Sequence, residues 1–360
     1  MATIDEIYMK RCFQLAKCGF GNVAPNPMVG AVVVHDGKII GEGFHRKYGE
    51  PHAEVNAINS VADKSLLCKA TIYVNLEPCS HYGKTPPCSK LIIDCKIPNV
   101  VICNKDPFPE VSGRGIKMLQ DAGVNVTVGV LEEEGWELNR RFFTFHTLKR
   151  PYIILKFAQS ANGFMDGSDE KPLKISTDKS IILSHKMRTQ EAAILVGTNT
   201  AIKDNPSLTA RLWKGNNPTR VLIDRDLKVP AYCNIFNEDA NTIVFTEKEF
   251  ASADNRNVKF VCDAPFCFDK KLDLNFLTKY LYENKLQSLI VEGGSATLQS
   301  FIDANLWDEI RTETNPDIFV KDGVKSPHFS APLFKKEVVD GNTISWFRNT
   351  NHDASVSYTN

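Results

Sequence analysis

The spacing of apolar positions changes period repeatedly along this chain of 360 residues. Over residues 4–20, Ile7, Cys12, Leu15 and Ala16 recur at helical spacing and predict an opening amphipathic helix. Residues 29–34 and 38–44 are apolar-rich strand runs joined at Asp36-Gly37, a tight hairpin signal. The pattern then predicts a helix over 52–61, a buried strand over 70–76 and a helix over 85–94 entered through Pro86-Pro87. Strands at 99–103 and 124–128 bracket a helix near 115–122, and 131–147 reads as one amphipathic helix. Strands alternating with helices predict a layered α/β domain with a substantially parallel sheet.

The pattern stops at Lys149-Arg150-Pro151, where proline cannot continue a helix. Two domains are therefore expected, 1–148 and 149–360. The second half reads as strands at 152–157, 192–196, 220–223, 242–245, 259–261 and 288–292. Helices are predicted at 178–188, 274–283 and 296–304, with a β-rich end over 334–346. No repeat or low-complexity tract interrupts either half.

Composition narrows the functional classes. Lys+Arg and Asp+Glu are equal at 43 each, which gives no support for wrapping nucleic acid. Apolar runs such as 31–34 and 153–155 are far too short to span a bilayer, so no membrane partner is expected. The opening residues are acidic and polar, unlike a secretion signal. The ten cysteines show no disulfide rhythm, so they read as thiols and metal ligands of a cytoplasmic protein.

Three short segments carry chemistry: His52-Ala53-Glu54, Pro78-Cys79 and Pro87-Cys88. One imidazole, two thiolates and one free carboxylate suit a zinc ion with an open fourth position beside a proton shuttle. His52, Cys79 and Cys88 are the expected ligands, and Glu54 the catalytic acid/base. Zinc deaminases acting on base-like rings combine these groups, though with Cys-x-x-Cys spacing. Here eight residues separate the cysteines. Taken singly, each has a plainer reading, since buried free cysteines are common. A closed structural zinc site would need a fourth ligand, for which His45 and His81 are available.

With Asn26-Pro27-Met28-Val29-Gly30 upstream and the run from Glu77 through Ser80, His81 and Thr85 to Cys88, the first half resembles the deaminase domain of the bifunctional riboflavin-biosynthesis deaminase/reductase family. The resemblance implies a cytidine-deaminase-like α/β/α fold. It also implies that Asn26, His45, His81, Lys84 and Thr85 hold a pyrimidine and its ribose phosphate.

The second half carries Lys156-Phe157-Ala158-Gln159, Val196-Gly197-Thr198-Asn199-Thr200, Asp204-Asn205-Pro206 and Val291-Glu292-Gly293-Gly294-Ser295. The last is a strand entering a glycine turn and a helix, whose amides can hold a phosphate. In this order the blocks resemble the reductase domain of the same family, with a fold similar to dihydrofolate reductase. NADPH is then the implied hydride donor. The resemblance assigns Ala158, Thr200, Asp204, Gly294, Ser295, Ala296, Thr297, Leu298, Gln299 and Ser300 to the dinucleotide, and Arg188, Leu208, Arg211 and Glu292 to the substrate. The chain departs from the family pattern at Asn162, Pro172 and Lys174.

The expected function is hydrolytic deamination of a diaminopyrimidinone bearing a ribosylamino phosphate, followed by reduction of its ribosyl group. The alternatives are another zinc deaminase acting on a free nucleobase or tRNA, with an accessory domain, and a zinc-stabilised scaffold without catalysis. Oligomeric state, a homo-oligomer included, is left open by the sequence.

Overall fold

The computed structural model describes residues 2–81, 86–108, 112–169, 172–248, 257–262, 267–268 and 271–352. The chain divides into two compact units, Met1–Leu148 and Lys149–Asn360.

The first unit contains α1 (Ile4–Lys17), β1 (Gly30–His35), β2 (Lys38–Phe44), α2 (Ala53–Ser60), β3 (Thr71–Leu76) and α3 (Cys88–Asp94). It continues with β4 (Asn99–Asn104), α4 (Arg114–Asp121), β5 (Asn125–Val128), α5 (Glu132–Leu138) and α6 (Arg140–Leu148). Its sheet has the order β2-β1-β3-β4-β5. Strands β3, β4 and β5 are parallel, but β1 runs antiparallel to both neighbours, so the sheet is mixed. The tight turn at Asp36-Gly37 is the reason: a two-residue connection returns the chain antiparallel.

Alternate residues of the central strands feed two cores. Ile72, Val74, Val100 and Ile102 pack under α2, α3 and α4, while Tyr73, Val101 and Cys103 face α1 and α5. Each such side chain contributes about 1.5–3 kcal/mol on full burial. Thr3 and Glu6 form a capping box that starts α1. Its buried stripe is Tyr8, Met9, Cys12, Phe13 and Ala16, whereas Ile7 is 52% exposed, one position off that face.

The helix expected over 131–147 is two helices broken at Asn139. Asn139 is buried, accepts a hydrogen bond from the Met28 amide and donates one to the Met28 carbonyl. Serving another segment's backbone outweighs continuing the local helix.

The second unit contains β6 (Tyr152–Ser160), β7 (Phe164–Gly167), α7 (Asp178–Arg188), β8 (Ala193–Gly197), α8 (Thr198–Lys203), β9 (Thr219–Ile223), β10 (Thr242–Thr246) and β11 (Val258–Cys262). There follow β12 (Cys267–Phe268), β13 (Lys271–Leu272), α9 (Leu274–Glu283), β14 (Ser288–Val291), α10 (Ser295–Asp303), β15 (Glu309–Asn315), β16 (Gly323–Lys325), β17 (Leu333–Val339) and β18 (Asn342–Arg348). Nine strands form one sheet, ordered β11-β10-β9-β8-β14-β6-β15-β18-β17. It is parallel from β11 through β15 and ends in the β17–β18 hairpin. Leu277, Leu281, Leu298 and Phe301 from α9 and α10 cover one face; Met187 and Ala201 from α7 and α8 contact the other.

Chain connections leave β8 and β14 in opposite directions, β8 toward β9 and β14 toward β15. Such a switch point opens a crevice at the carboxyl ends of the strands. No helix among the described residues is long and apolar enough to cross a membrane.

Candidate functional site

In the first unit, close packing sets two helix starts near each other. Gly43 of β2 lies against α2, where an added Cβ would meet the Ala57 amide nitrogen at 2.3 Å. That contact seats α2 on the sheet with His52 as its N-cap and Glu54 in its first turn. Cys88 begins α3, and its amide donates to Cys79 Sγ at 3.2 Å.

His52 Nδ1 is 3.6 Å from Cys79 Sγ and 3.4 Å from Cys88 Sγ. All three ligand atoms lie within 4.8 Å of one another. Tetrahedral zinc with ordinary Zn–N and Zn–S lengths needs ligand edges of roughly 3.6–3.8 Å. The donor set therefore fits zinc. A hydrogen bond from Cys88 is the main cause holding Cys79 down to about 4, while the same bond and burial push Cys88 up. Burial pushes Glu54 up to about 7, against the His52 charge.

His52, Glu54 and Cys79 border a cavity of about 370 Å³ together with Asn26, His45 and His81. The Asn26 amide nitrogen is 3.1 Å from His45 Nε2, and His45 Nδ1 is 3.2 Å from the Pro51 carbonyl. Burial lowers the His45 pKa. The fourth-ligand role open to His45 or His81 is not realised, since only His52, Cys79 and Cys88 converge among the described residues. Lys84 and Thr85 lie outside the described residues.

Two carboxylates here escaped the sequence reading. Glu77 is buried, and it accepts from the amides of Asp106, Gly113, Gly115 and Ile116 at 2.9–3.2 Å. It thereby caps α4 and anchors the chain next to Cys79. Asp106 lines the cavity, and burial pushes it up to about 6. Its neighbours Phe108, Phe142 and His146 make an aromatic wall, with Phe142 and His146 centroids 4.5 Å apart. Glu77 stood beside the Pro-Cys motif at a strand end, which was a usable signal; Asp106 had none.

In the second unit two cavities open at the switch point. The larger, about 700 Å³, is lined by Thr200, Asp204, Gly294, Ser295, Ala296 and Thr297. Gly294 caps α10 without a side-chain hydrogen bond, leaving first-turn amides for an anion. An added Cβ at Gly197 would meet Thr297 Oγ1 at 2.8 Å, so the β8 and β14 turns approach closely. This cradle fits the phosphates of a dinucleotide.

The smaller cavity, about 320 Å³, is lined by Ala158, Arg188, Leu208 and Glu292, and also by Lys156, which the sequence reading did not single out. Arg188 donates to Glu292 at 2.7 Å and to the Thr209 carbonyl at 3.0 Å. Lys156 Nζ is 3.9 Å from Glu292. Burial lowers the Lys156 pKa, opposed by Glu292.

Five expected residues do not line the cavity to which their role would assign them. Leu298 is fully buried in the core, because it lies on the sheet-facing side of α10. Gln299 is turned to Asp303 and His328, and the Ser300 hydroxyl bonds back to the Ala296 carbonyl. Arg211 is exposed and lines neither cavity, following a turn where the Asn217 side chain holds the Ala210 amide at 2.8 Å. Ala158 borders the smaller cavity rather than the larger.

Comparison with known proteins bears on both units. The model described as "RibD C-terminal domain" matches residues 151–327, and "Cytidine and deoxycytidylate deaminase zinc-binding region" matches residues 2–104. The riboflavin biosynthesis protein RibD of Aquifex aeolicus is 42% identical over 343 residues, covering 93% of this chain and 95% of that protein. The chain belongs to the RibD family. It is a bifunctional deaminase/reductase of riboflavin biosynthesis, with a zinc-binding deaminase domain and a reductase domain whose kind implies a nicotinamide cofactor.

Two solved structures agree over nearly the whole chain. The Thermotoga maritima diaminohydroxyphosphoribosylaminopyrimidine deaminase/5-amino-6-(5-phosphoribosylamino)uracil reductase superposes with a TM-score of 0.86 at 39% identity, covering 96% of this chain and 98% of that one. Acinetobacter baumannii RibD gives 0.88 at 28% identity, covering 96% and 99%.

Proposed function

We propose that residues 1–148 deaminate 2,5-diamino-6-(5-phosphoribosylamino)pyrimidin-4-one, and that residues 149–360 reduce the ribosyl group of the resulting 5-amino-6-(5-phosphoribosylamino)uracil to ribityl with NADPH. The observation that carries the reading is the convergence of His52 Nδ1 and the sulfurs of Cys79 and Cys88 beside buried Glu54.

When bound to those three side chains, zinc supplies a Lewis acid that makes water acidic near neutral pH. Glu54 takes the proton released by the attacking water and delivers it to the departing amino group. Water enters, the ring carbon–nitrogen bond breaks and ammonia leaves. Asn26 and His45 orient the pyrimidine, while His81, Lys84 and Thr85 receive the ribose phosphate.

For the second step a dinucleotide held in the larger cavity would supply the hydride that the ribose anomeric carbon accepts. The bond from that carbon to the ring oxygen breaks, and the oxygen gains a proton. Lys156, buried against Glu292, is placed to give that proton. Arg188 and Glu292 orient the substrate, Leu208 packs against it, and Thr200, Asp204 and the turn through Gly294 and Thr297 hold the dinucleotide. No protein nucleophile is required, so positioning dominates. The scattered cysteines, free among the described residues, support action in a reducing compartment such as the cytoplasm.

One assay tests the whole reading. Purified protein given the diaminopyrimidine releases ammonia without NADPH and consumes NADPH, seen as falling absorbance, once the deaminated product is present. Ammonia release from RNA but not from this substrate would reject it.

A further inference from the structure

Residues 26–30 run from the rim of the deaminase cavity into the core of the first unit. Asn26, Pro27 and Val29 line the cavity, whereas Met28 is buried against Ala16 and Val23. Met28 precedes β1, so its peptide groups fall outside the strand ladder. Two buried side-chain amides take the ladder's place. Asn139 accepts from the Met28 amide at 2.8 Å and donates to the Met28 carbonyl at 2.9 Å. Asn75 donates to the same carbonyl at 3.0 Å and accepts from the Gly30 amide at 2.7 Å. The carbonyl has two donors, but the Met28 amide is given to Asn139. Removing Asn139 would strand that buried amide, and the segment would shift to satisfy it.

Such a shift reaches the site. Only Pro27 separates Met28 from Asn26. Its ring fixes φ and confines the preceding residue to extended backbone, so displacement of Met28 is passed to Asn26 rather than absorbed. Asn26 in turn meets His45, whose Nε2 is 3.1 Å from the Asn26 amide nitrogen. His45 Nδ1 faces the Pro51 carbonyl at 3.2 Å, so Nδ1 carries the proton and Nε2 accepts. The Asn26 amide therefore donates to His45, and its oxygen remains available to accept from a pyrimidine ring. Asn139 also stands between α5 and α6, and α6 carries Phe142 and His146 of the cavity's aromatic wall. One side chain thus ties two parts of the cavity lining together.

We propose that Asn139 is a positioning residue of the deaminase: its grip on Met28 sets Asn26 against His45 and thereby sets the hold on the pyrimidine. This rests on the first cavity being the pyrimidine site, with Asn26 touching the ring.

The test compares Asn26→Ala, Asn139→Ala and the double substitution in the full chain. KM for the diaminopyrimidine is expected to rise about ten-fold in each single variant with kcat little changed, the pattern of lost uniform binding. Because both act through one contact, the double variant should match Asn26→Ala rather than show the product of the two effects. A second readout needs no substrate. In NMR spectra of protein carrying isotope-labelled histidine, His45 Nε2 should shift in Asn139→Ala as it does in Asn26→Ala, since both lose the same donor. Zinc content should equal the parent's, showing the ligands undisturbed. If Asn139→Ala does not fold, Asn139→Ser, which keeps one hydroxyl beside the Met28 peptide, carries the same comparisons at intermediate values. A parental KM or a parental His45 resonance in the Asn139 variant, or effects that multiply in the double variant, overturn the proposal. A parental KM in Asn26→Ala instead rejects the contact between Asn26 and the pyrimidine, and the His45 resonance still decides the clamp.

Discussion

Arg188 and Glu292 meet at 2.7 Å, with their side chains only 13% and 10% exposed. They come from the end of α7 and the residue after β14, far apart in the chain. Lys156 approaches the same carboxylate from β6. One acidic group thus gathers two cations around the smaller cavity, and its ionisation is tied to the fold.

That tie predicts an acid-sensitive contribution to stability. Burial alone would raise the Glu292 pKa, but the Arg188 and Lys156 charges outweigh burial and hold it at about 2. An unfolded glutamate titrates near about 4.3. A depressed folded pKa gives stability that is fully present above the unfolded value and is lost as pH falls from there toward 2. Glu292→Gln should be less stable near neutral pH, by about 3 kcal/mol, because the largely buried Arg188 guanidinium loses its ionic partner. It should also show a shallower loss between pH 4 and 2 than the parent, read from denaturant midpoints. Equal acid slopes in parent and variant would refute the assignment.

Metal loss should separate the two activities. Cys88→Ser removes one of three converging ligand atoms. Elemental analysis should find zinc strongly reduced, and ammonia release should fall to background. NADPH oxidation with the deaminated substrate should persist, because the cavities proposed for that step are lined only by residues of Lys149–Asn360. Full deamination by metal-free protein would contradict the proposed site.

Glu54→Gln tests the proton shuttle apart from the ligands. The amide keeps the shape but cannot carry the proton. Ammonia release should drop by about a hundred-fold or more, with zinc content unchanged. An active variant would remove Glu54 from the mechanism.

Stability of the second unit should depend on Asp308. Arg150 donates to both of its oxygens, at 2.6 and 2.8 Å, and the Ile153 amide donates at 2.7 Å. Both charged side chains are 7% exposed. Asp308→Ala leaves a buried guanidinium unpaired and should cost about 3–5 kcal/mol in unfolding of that unit. A loss below about 1 kcal/mol would mean water or another acceptor replaces the carboxylate.

Strand β15 shows where one-dimensional reading stops. Its residues, Glu309-Ile310-Arg311-Thr312-Glu313-Thr314-Asn315, look like a polar surface segment. In the fold it lies between β6 and β18, with Glu309, Arg311, Thr312 and Glu313 buried. Glu313 accepts from the Ser176 and Ser180 hydroxyls at 2.7 and 2.5 Å and from Asn342 at 2.6 Å. Those partners come from elements distant in sequence, so no local window reveals them. The short α8 and β7 were also invisible, being too brief to show a period.

The alternation of strands and helices, the break before Pro151 and the set of His52, Glu54, Cys79 and Cys88 were legible from the chain alone. Apolar periodicity and metal-ligand chemistry depend on residue type and local spacing, which a sequence states outright. Tertiary structure alone decided that Glu77 holds the chain beside Cys79, that Lys156 enters the smaller cavity, and that Leu298 belongs to the core while Arg211 faces solvent. A buried charge and a solvated one are the same letter. Only the partners that remote segments bring to Glu77 or Lys156 make burial tolerable, and that meeting exists only in the folded chain.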